Sequence, residues 1–367
     1  MNSEFHFPLF IFLLFIELTV VNSYGLSDFS INTLNDGESI KKIININENI
    51  TYLFTNNKLY SINENNSLSI ISNNFEILNS KYSDIYTISK NQILIACTDN
   101  NLLNLVNENG ENQKSYSYKI NNLTLKNPNT PCSINYNSNN NIILISYSYY
   151  DSTAKTIDYY LLKFTFDKNK NSFEFSSKLN TIQNDFTLSN NEMSELIWSF
   201  FSCDFFDDDN IFCVFRRNNQ RLKYMLLELN ELKIKDKDYL SSSSITEFKI
   251  IKLSNKLISI CGGDGSNYII LGVYFDIDKK KISYISKIAN GYLYSYSIKT
   301  LAFSKSDNYH IYAVINYGIP IIFRYIFTPN PTEMSSSEIE IDCSDDKFIS
   351  FDSLNKGICL GKVNVEI

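Results

Sequence analysis

"QILIACTDNNLLNLVNENG" runs from Gln92 to Gly110, and its reading decides the fold. An apolar run, Ile93 to Ala96, meets the turn "TDNN"; a second run ends at Val106 and "NENG" closes it. Short runs rich in β-branched and aromatic residues, bounded by Asn, Asp and Gly, read as strand, turn, strand. The pattern recurs in "ITYLFTNNKLYSIN" (50–63), in "NIILISYSYYD" with "DYYLLKFTFDKNKN" (141–171), and in "IFCVF" with "LKYMLLEL" (211–229). It returns in "LISICGGDGSNYIILGVYFDIDKKKISYI" (257–285) and "HIYAVINYGIPIIFRYIFTPNP" (310–331). Helical periodicity is scarce; only "NNEMSELIWS" (190–199) admits a helix, and it reads equally as the start of a strand.

The repeats fall near 40–76, 78–120, 125–180, 190–240, 245–290 and 292–335, with a remnant at 337–367. Their length and strand content are those of β-propeller blades. Runs such as "YIILGVYF" (268–275) are apolar on both sides, which suits strands covered on both faces by neighbouring blades. The expectation is an all-β chain: one six- or seven-bladed β-propeller over 40–340, after a lead-in at 24–39. Residues 341–367 are expected to form a closing strand or the remnant of a last blade. Two β-sandwich domains are the alternative, but no Pro- or Gly-rich linker marks the middle. "NSNNN" (137–141) and "SSSS" (241–244) read as loops, and "DKNKN" and "KIKDKDY" (233–239) as solvated loop tips.

Segments such as "ILIACTDNNLLNLVNENG" resemble the strand–turn–strand units of secreted and surface β-propellers of the sema type or similar. The resemblance spans most of 40–340 and concerns blade grammar alone. Tryptophan–aspartate repeats, kelch double glycines and the sialidase aspartate box are absent, so no binding residue is carried over.

The 367 residues, 26 Phe and 25 Tyr among them, can build a substantial core. At the N-terminus, Phe7 to Ile16 is too short an apolar run to span a bilayer comfortably. Val21 and Ser23 sit where a signal peptidase reads small residues, so 1–23 is expected to be a signal peptide cleaved before Tyr24. An uncleaved anchor is the alternative. Removing 1–23 takes Glu4 and Glu17 and no Lys or Arg, moving the net charge from −7 to −5. Mild acidity argues against nucleic acid as a partner, and no later apolar run is long enough to be a transmembrane span. Asn49, Asn65 and Asn122 head three glycosylation sequons.

Two histidines are present and His6 would leave with the signal peptide, so His310 cannot build a multi-histidine metal site. No Gly-x-Ser-x-Gly elbow presents a nucleophile, and no catalytic residue is assigned. The lone Trp198 reads as core. Gly262, Gly263 and Gly265 lack the Lys and Ser or Thr of a phosphate loop and read as a hairpin turn. Asp207, Asp208 and Asp209 could hold calcium, although the D-x-D-x-D-G spacing is missing; no other cofactor is expected. Seven cysteines in an exported chain should largely pair, leaving one over. Cys203 and Cys213 stand opposite one another if Phe205 pairs with Ile211, and Cys343 with Cys359 is a second candidate.

These features point to an exported, non-enzymatic binding or adhesion module, extracellular or at the cell surface, for a protein or glycan. A carboxylate-dependent glycan hydrolase or lyase is the alternative. It would bring two carboxylates and one of Arg216, Arg217, Arg221 or Arg324 together on the propeller axis. A diverged or truncated ectodomain of a larger receptor is the third reading.

Overall fold

The computed structural model describes residues 30–362 apart from 35–39, 48–49, 63–67, 119–124, 181–200, 216–221, 242–246, 264–266, 293–299, 306–309, 317–319, 327–334, 341–347, 352–356 and a few single positions. Six four-stranded sheets follow one another along the chain, and a three-stranded seventh completes the set. Blade 1 spans 40–72, blade 2 84–116, blade 3 133–180, blade 4 201–241, blade 5 247–292 and blade 6 300–340. Within each, consecutive strands pair antiparallel in chain order. The first strand of each blade touches the first strand of the next, which puts these strands innermost, around a common axis. The fold is a β-propeller, with seven sheets among the described residues, a single ring in place of two sandwiches.

The seventh sheet joins the two ends of the chain. Phe348–Phe351 pairs with Gly357–Lys362, and Ser30–Leu34 adds to the latter in parallel. Residues expected as a lead-in therefore contribute a strand to the last blade. Backbone hydrogen bonds between first and last strands close the ring and leave the ends less able to fray.

Strand parity explains the core. In Ile142–Asp151, Ile143, Ile145 and Tyr147 pack with blade 2, whereas Leu144 packs with blade 4. In blade 4, Cys203, Ile211, Cys213 and Met225 face blade 3; Phe212, Val214, Tyr224 and Leu226 face blade 5. Both faces of a blade are covered by apolar neighbours, so the inner strands read as unbroken apolar runs. Asn210–Phe215 is buried at every position.

Turn chemistry positions the blades. Asn141, Asn171 and Leu232 take positive φ in hairpin turns, and so does Cys97 in the turn after Gln92–Ala96. Gly110 (φ 81°) lies where an added Cβ would strike the Asn74 carbonyl that follows blade 1. Gly110→Ala is expected to cost about 2 kcal/mol, from the left-handed backbone and from loss of that close approach. Urea denaturation checks this; an unchanged midpoint would contradict it. Gly262 and Gly263, read from sequence as turn residues, lie inside Leu257–Gly263 opposite Ile269 and Tyr268. There they leave room rather than bend the chain. "KIKDKDY" is likewise no loop tip: Ile234–Ser241 is the outermost strand of blade 4, whose charges face water on an exposed edge.

Candidate ligand-binding face

The two ends of the ring differ. One carries the turns between first and second strands and between third and fourth; the other carries the turns between second and third and the long connections between blades.

The aspartates of "DDDN" lie on the first of these ends. Asp207 accepts the Asp209 backbone N–H (2.8 Å) and both its oxygens receive Asn210 Nδ2 (2.7 and 2.8 Å). Asp208 reaches blade 3, where Asn137 Nδ2 and Asn139 Nδ2 each donate to Oδ1 at 2.9 Å. Asn140 Nδ2 donates to its carbonyl at 3.1 Å. "NSNNN" is thus an ordered turn that grips the next blade. The described residues contain no cluster of three or more Cys, His, Asp or Glu side chains placed to hold a metal ion. The carboxylates of Asp207 and Asp208 are engaged by amide donors.

Hydrogen bonds from Asn137 and Asn139 hold the exposed Asp208 carboxyl below its usual range. Because its pKa is depressed on folding, the clasp contributes stability above the unfolded-state value, about pH 4, and loses it as pH falls through the folded value. Asp208→Asn is expected to flatten the stability–pH curve below about pH 4. Acid unfolding curves of equal steepness for both proteins would contradict this.

The opposite end holds a disulfide that joins blades. Cys97, after the second strand of blade 2, bonds to Cys132, just ahead of blade 3, with Cα atoms 6.3 Å apart. Ser80 Oγ donates to the Cys97 carbonyl (3.1 Å), and Lys41 Nζ donates to the Ser80 carbonyl (3.2 Å). Cys132 N donates to the Tyr82 carbonyl (3.0 Å), so blades 1, 2 and 3 meet at this point.

Beside it the innermost strands begin. Lys42 Nζ lies 2.6 Å from Asp84 Oδ1, and the other Asp84 oxygen accepts the Ile134 N–H at 3.0 Å. One carboxylate thus ties the innermost strands of three blades. Lys249, on the innermost strand of blade 5, is solvent-exposed. Desolvation by nearby protein lowers its pKa and Lys42 adds to the effect, while Asp84 and Cys261 oppose it. Cys261 is opposite Lys249 in the sheet; its free thiol is buried, 3.3 Å from Ser259 Oγ, and burial pushes it up to about 12. Deeper along blade 2, burial, with help from Asp204 and Tyr136, raises Tyr86 to about 12.

The remaining candidates separate. Cys203 bonds to Cys213 across a hairpin in which Phe205 faces Ile211, with Cα atoms 4.0 Å apart. Cys359 lies in Gly357–Lys362, whereas Cys343 is outside the described residues. Asn49, Asn65, Asn122, Trp198, Gly265, Arg216, Arg217 and Arg221 also lie outside them, as do residues 1–23 and 190–199. His310 opens a strand of blade 6, and Arg324 pairs with Tyr312 and Ser337 in the same sheet. Sequence reasoning missed Cys97–Cys132 and the Lys42–Asp84–Lys249 grouping.

No family model and no curated protein matches the chain. Among solved structures, a protein from Lactobacillus plantarum is similar with a TM-score of 0.51 at 6% identity, over 82% of this chain and 81% of that one. The β-propeller domain of Swd1 from Myceliophteria thermophila has a TM-score of 0.47 at 10% identity, over 84% of this chain and 90% of its own. The WD40 domain of Pan2 from Neurospora crassa has 0.48 at 11%, over 87% and 84%. Identities this low speak to fold alone. The class is that of β-propellers, as the sheet topology independently defines.

Proposed function

We propose that this chain is an exported binding module, secreted or held at the cell surface, that engages a protein or glycan through the face carrying Cys97–Cys132. The observation that carries the reading is that disulfide, which ties blade 2 to blade 3 on the end where the long connections run. Disulfides persist in oxidising compartments, and a rigid scaffold with loops gathered at one end suits recognition. The leader at 1–23 and the sequons at Asn49, Asn65 and Asn122 support the same compartment. No helix among the described residues is long and apolar enough to cross a membrane.

The test is expression of the full chain in a secreting eukaryotic host. The expected product begins at Tyr24, shifts on glycosidase treatment and yields linked peptides for Cys97–Cys132 and Cys203–Cys213 under non-reducing digestion. The secreted protein is then screened on glycan and cell-surface protein arrays. A chain kept in the cytosol with both pairs reduced would refute export, and a blank array would refute the binding role.

A further inference from the structure

We propose that the Cys97–Cys132 bond is a redox latch, whose reduction by a dithiol lets the seam between blades 2 and 3 open to water. The latch belongs to the fold itself and operates whether or not that face binds a partner.

Three observations carry it. Cys97, Cys132, Tyr118 and Tyr147 lie in one core cluster between blades 2 and 3, and the bond is a covalent link across it. Among the described residues, six buried side-chain oxygens have no hydrogen-bond partner in the protein. Three of them are the hydroxyls of Tyr116, Tyr118 and Tyr147, all in this cluster. Each unpaired buried hydroxyl penalises the closed seam, and opening would hydrate it. Third, Cys97 holds a left-handed backbone (φ 57°) in a turn closed by its N–H on the Leu102 carbonyl at 2.8 Å. That conformation is unfavourable for a residue with a side chain, so strain sits at one end of the bond.

Packing and the disulfide oppose opening; the Tyr147 ring stacks on Tyr160 with centroids 4.9 Å apart. Cutting the bond leaves packing alone against the unpaired hydroxyls, and the opening equilibrium rises. Cys203–Cys213 differs because it joins two strands of one hairpin that already pair, so no seam depends on it. Cys203 and Cys213 are 1% and 0% exposed, whereas Cys132 is 9% exposed and offers the point of attack. A thiolate of the dithiol attacks the Cys132 sulfur, the S–S bond breaks, and Cys97 leaves as a thiolate. The second sulfur of the dithiol then displaces Cys132. Two electrons pass to the cysteines, the dithiol ends as a disulfide, and its two protons end on Cys97 and Cys132.

The experiment titrates the secreted full chain with dithiothreitol, maps free thiols by alkylating a portion, and follows amide hydrogen exchange on the rest. Cys97–Cys132 is expected to open at a lower reductant concentration than Cys203–Cys213. The amides of Leu125, Cys132 and Ser148 bond to Tyr118, Tyr82 and Thr130 around the seam. On reduction they should exchange at least about tenfold faster, while those of Asn210–Phe215 change less than about twofold. Replacing Tyr118→Phe and Tyr147→Phe together should slow that reduced-state exchange at least about fivefold. Should the Phe variant not fold, acetylation by N-acetylimidazole of reduced wild type, freed of reductant, decides. Tyr118 and Tyr147 then react after reduction and not before. Unchanged exchange at the seam, an equal rate in the Phe variant, or phenols that stay unreactive overturns the proposal. So does earlier reduction of Cys203–Cys213, or an equal rise in blade 4, which would report global unfolding.

Discussion

Replacing Cys97 and Cys132 together with serine is expected to lower stability by about 4 kcal/mol. The bond spans 35 residues, and its loss frees the unfolded chain to explore far more conformations. The native state loses a fastener as well. Cys132 N and the Cys97 carbonyl both hydrogen-bond the segment between blades 1 and 2, so the loop face should loosen before the core does. The Cys203–Cys213 bond closes a separation of only 10, and its matching double variant should cost about 1 kcal/mol less. Urea denaturation reads both through the shift in midpoint. An unchanged midpoint for the Cys97/Cys132 variant would show that the bond contributes nothing.

Phe164→Ala is the second large effect, at about 3–5 kcal/mol. Phe164 is fully buried, and its ring lies 5.2 Å from Tyr116, 5.6 Å from Phe175 and 6.0 Å from Phe173. Tyr116 ends blade 2, so the cavity would open between blades, where sheet backbones on both sides resist collapse. Tyr239→Ala on the outer strand of blade 4, where the side chain is half exposed, should cost less than about 1 kcal/mol. Equal costs at the two sites would contradict the layered core.

The blades were legible because each buries both faces. "YIILGVYF" needs apolar residues on either side of the strand, and no sandwich strand with one wet face would carry them. The read units drift from the observed blades at 73–83 and 117–132, where the connections carry no periodicity to mark a boundary. "KIKDKDY" was misread because an edge strand in water carries the composition of a loop. Glycine likewise marks either a bend or a close approach, and only the pairing of Gly262 and Gly263 tells which.

Local physics by itself determined the strands, the turns and the facing of Cys203 and Cys213, since alternation and a short loop set hairpin register within a few residues. Only the tertiary structure joined Cys97 to Cys132, turned Asp208 toward Asn137 and Asn139, closed the ring with Ser30–Leu34, and gathered Lys42, Asp84 and Lys249 at one end of the axis. Those contacts join residues far apart in the chain. Their partners follow from how the blades curl into a ring, a geometry that no local pattern encodes.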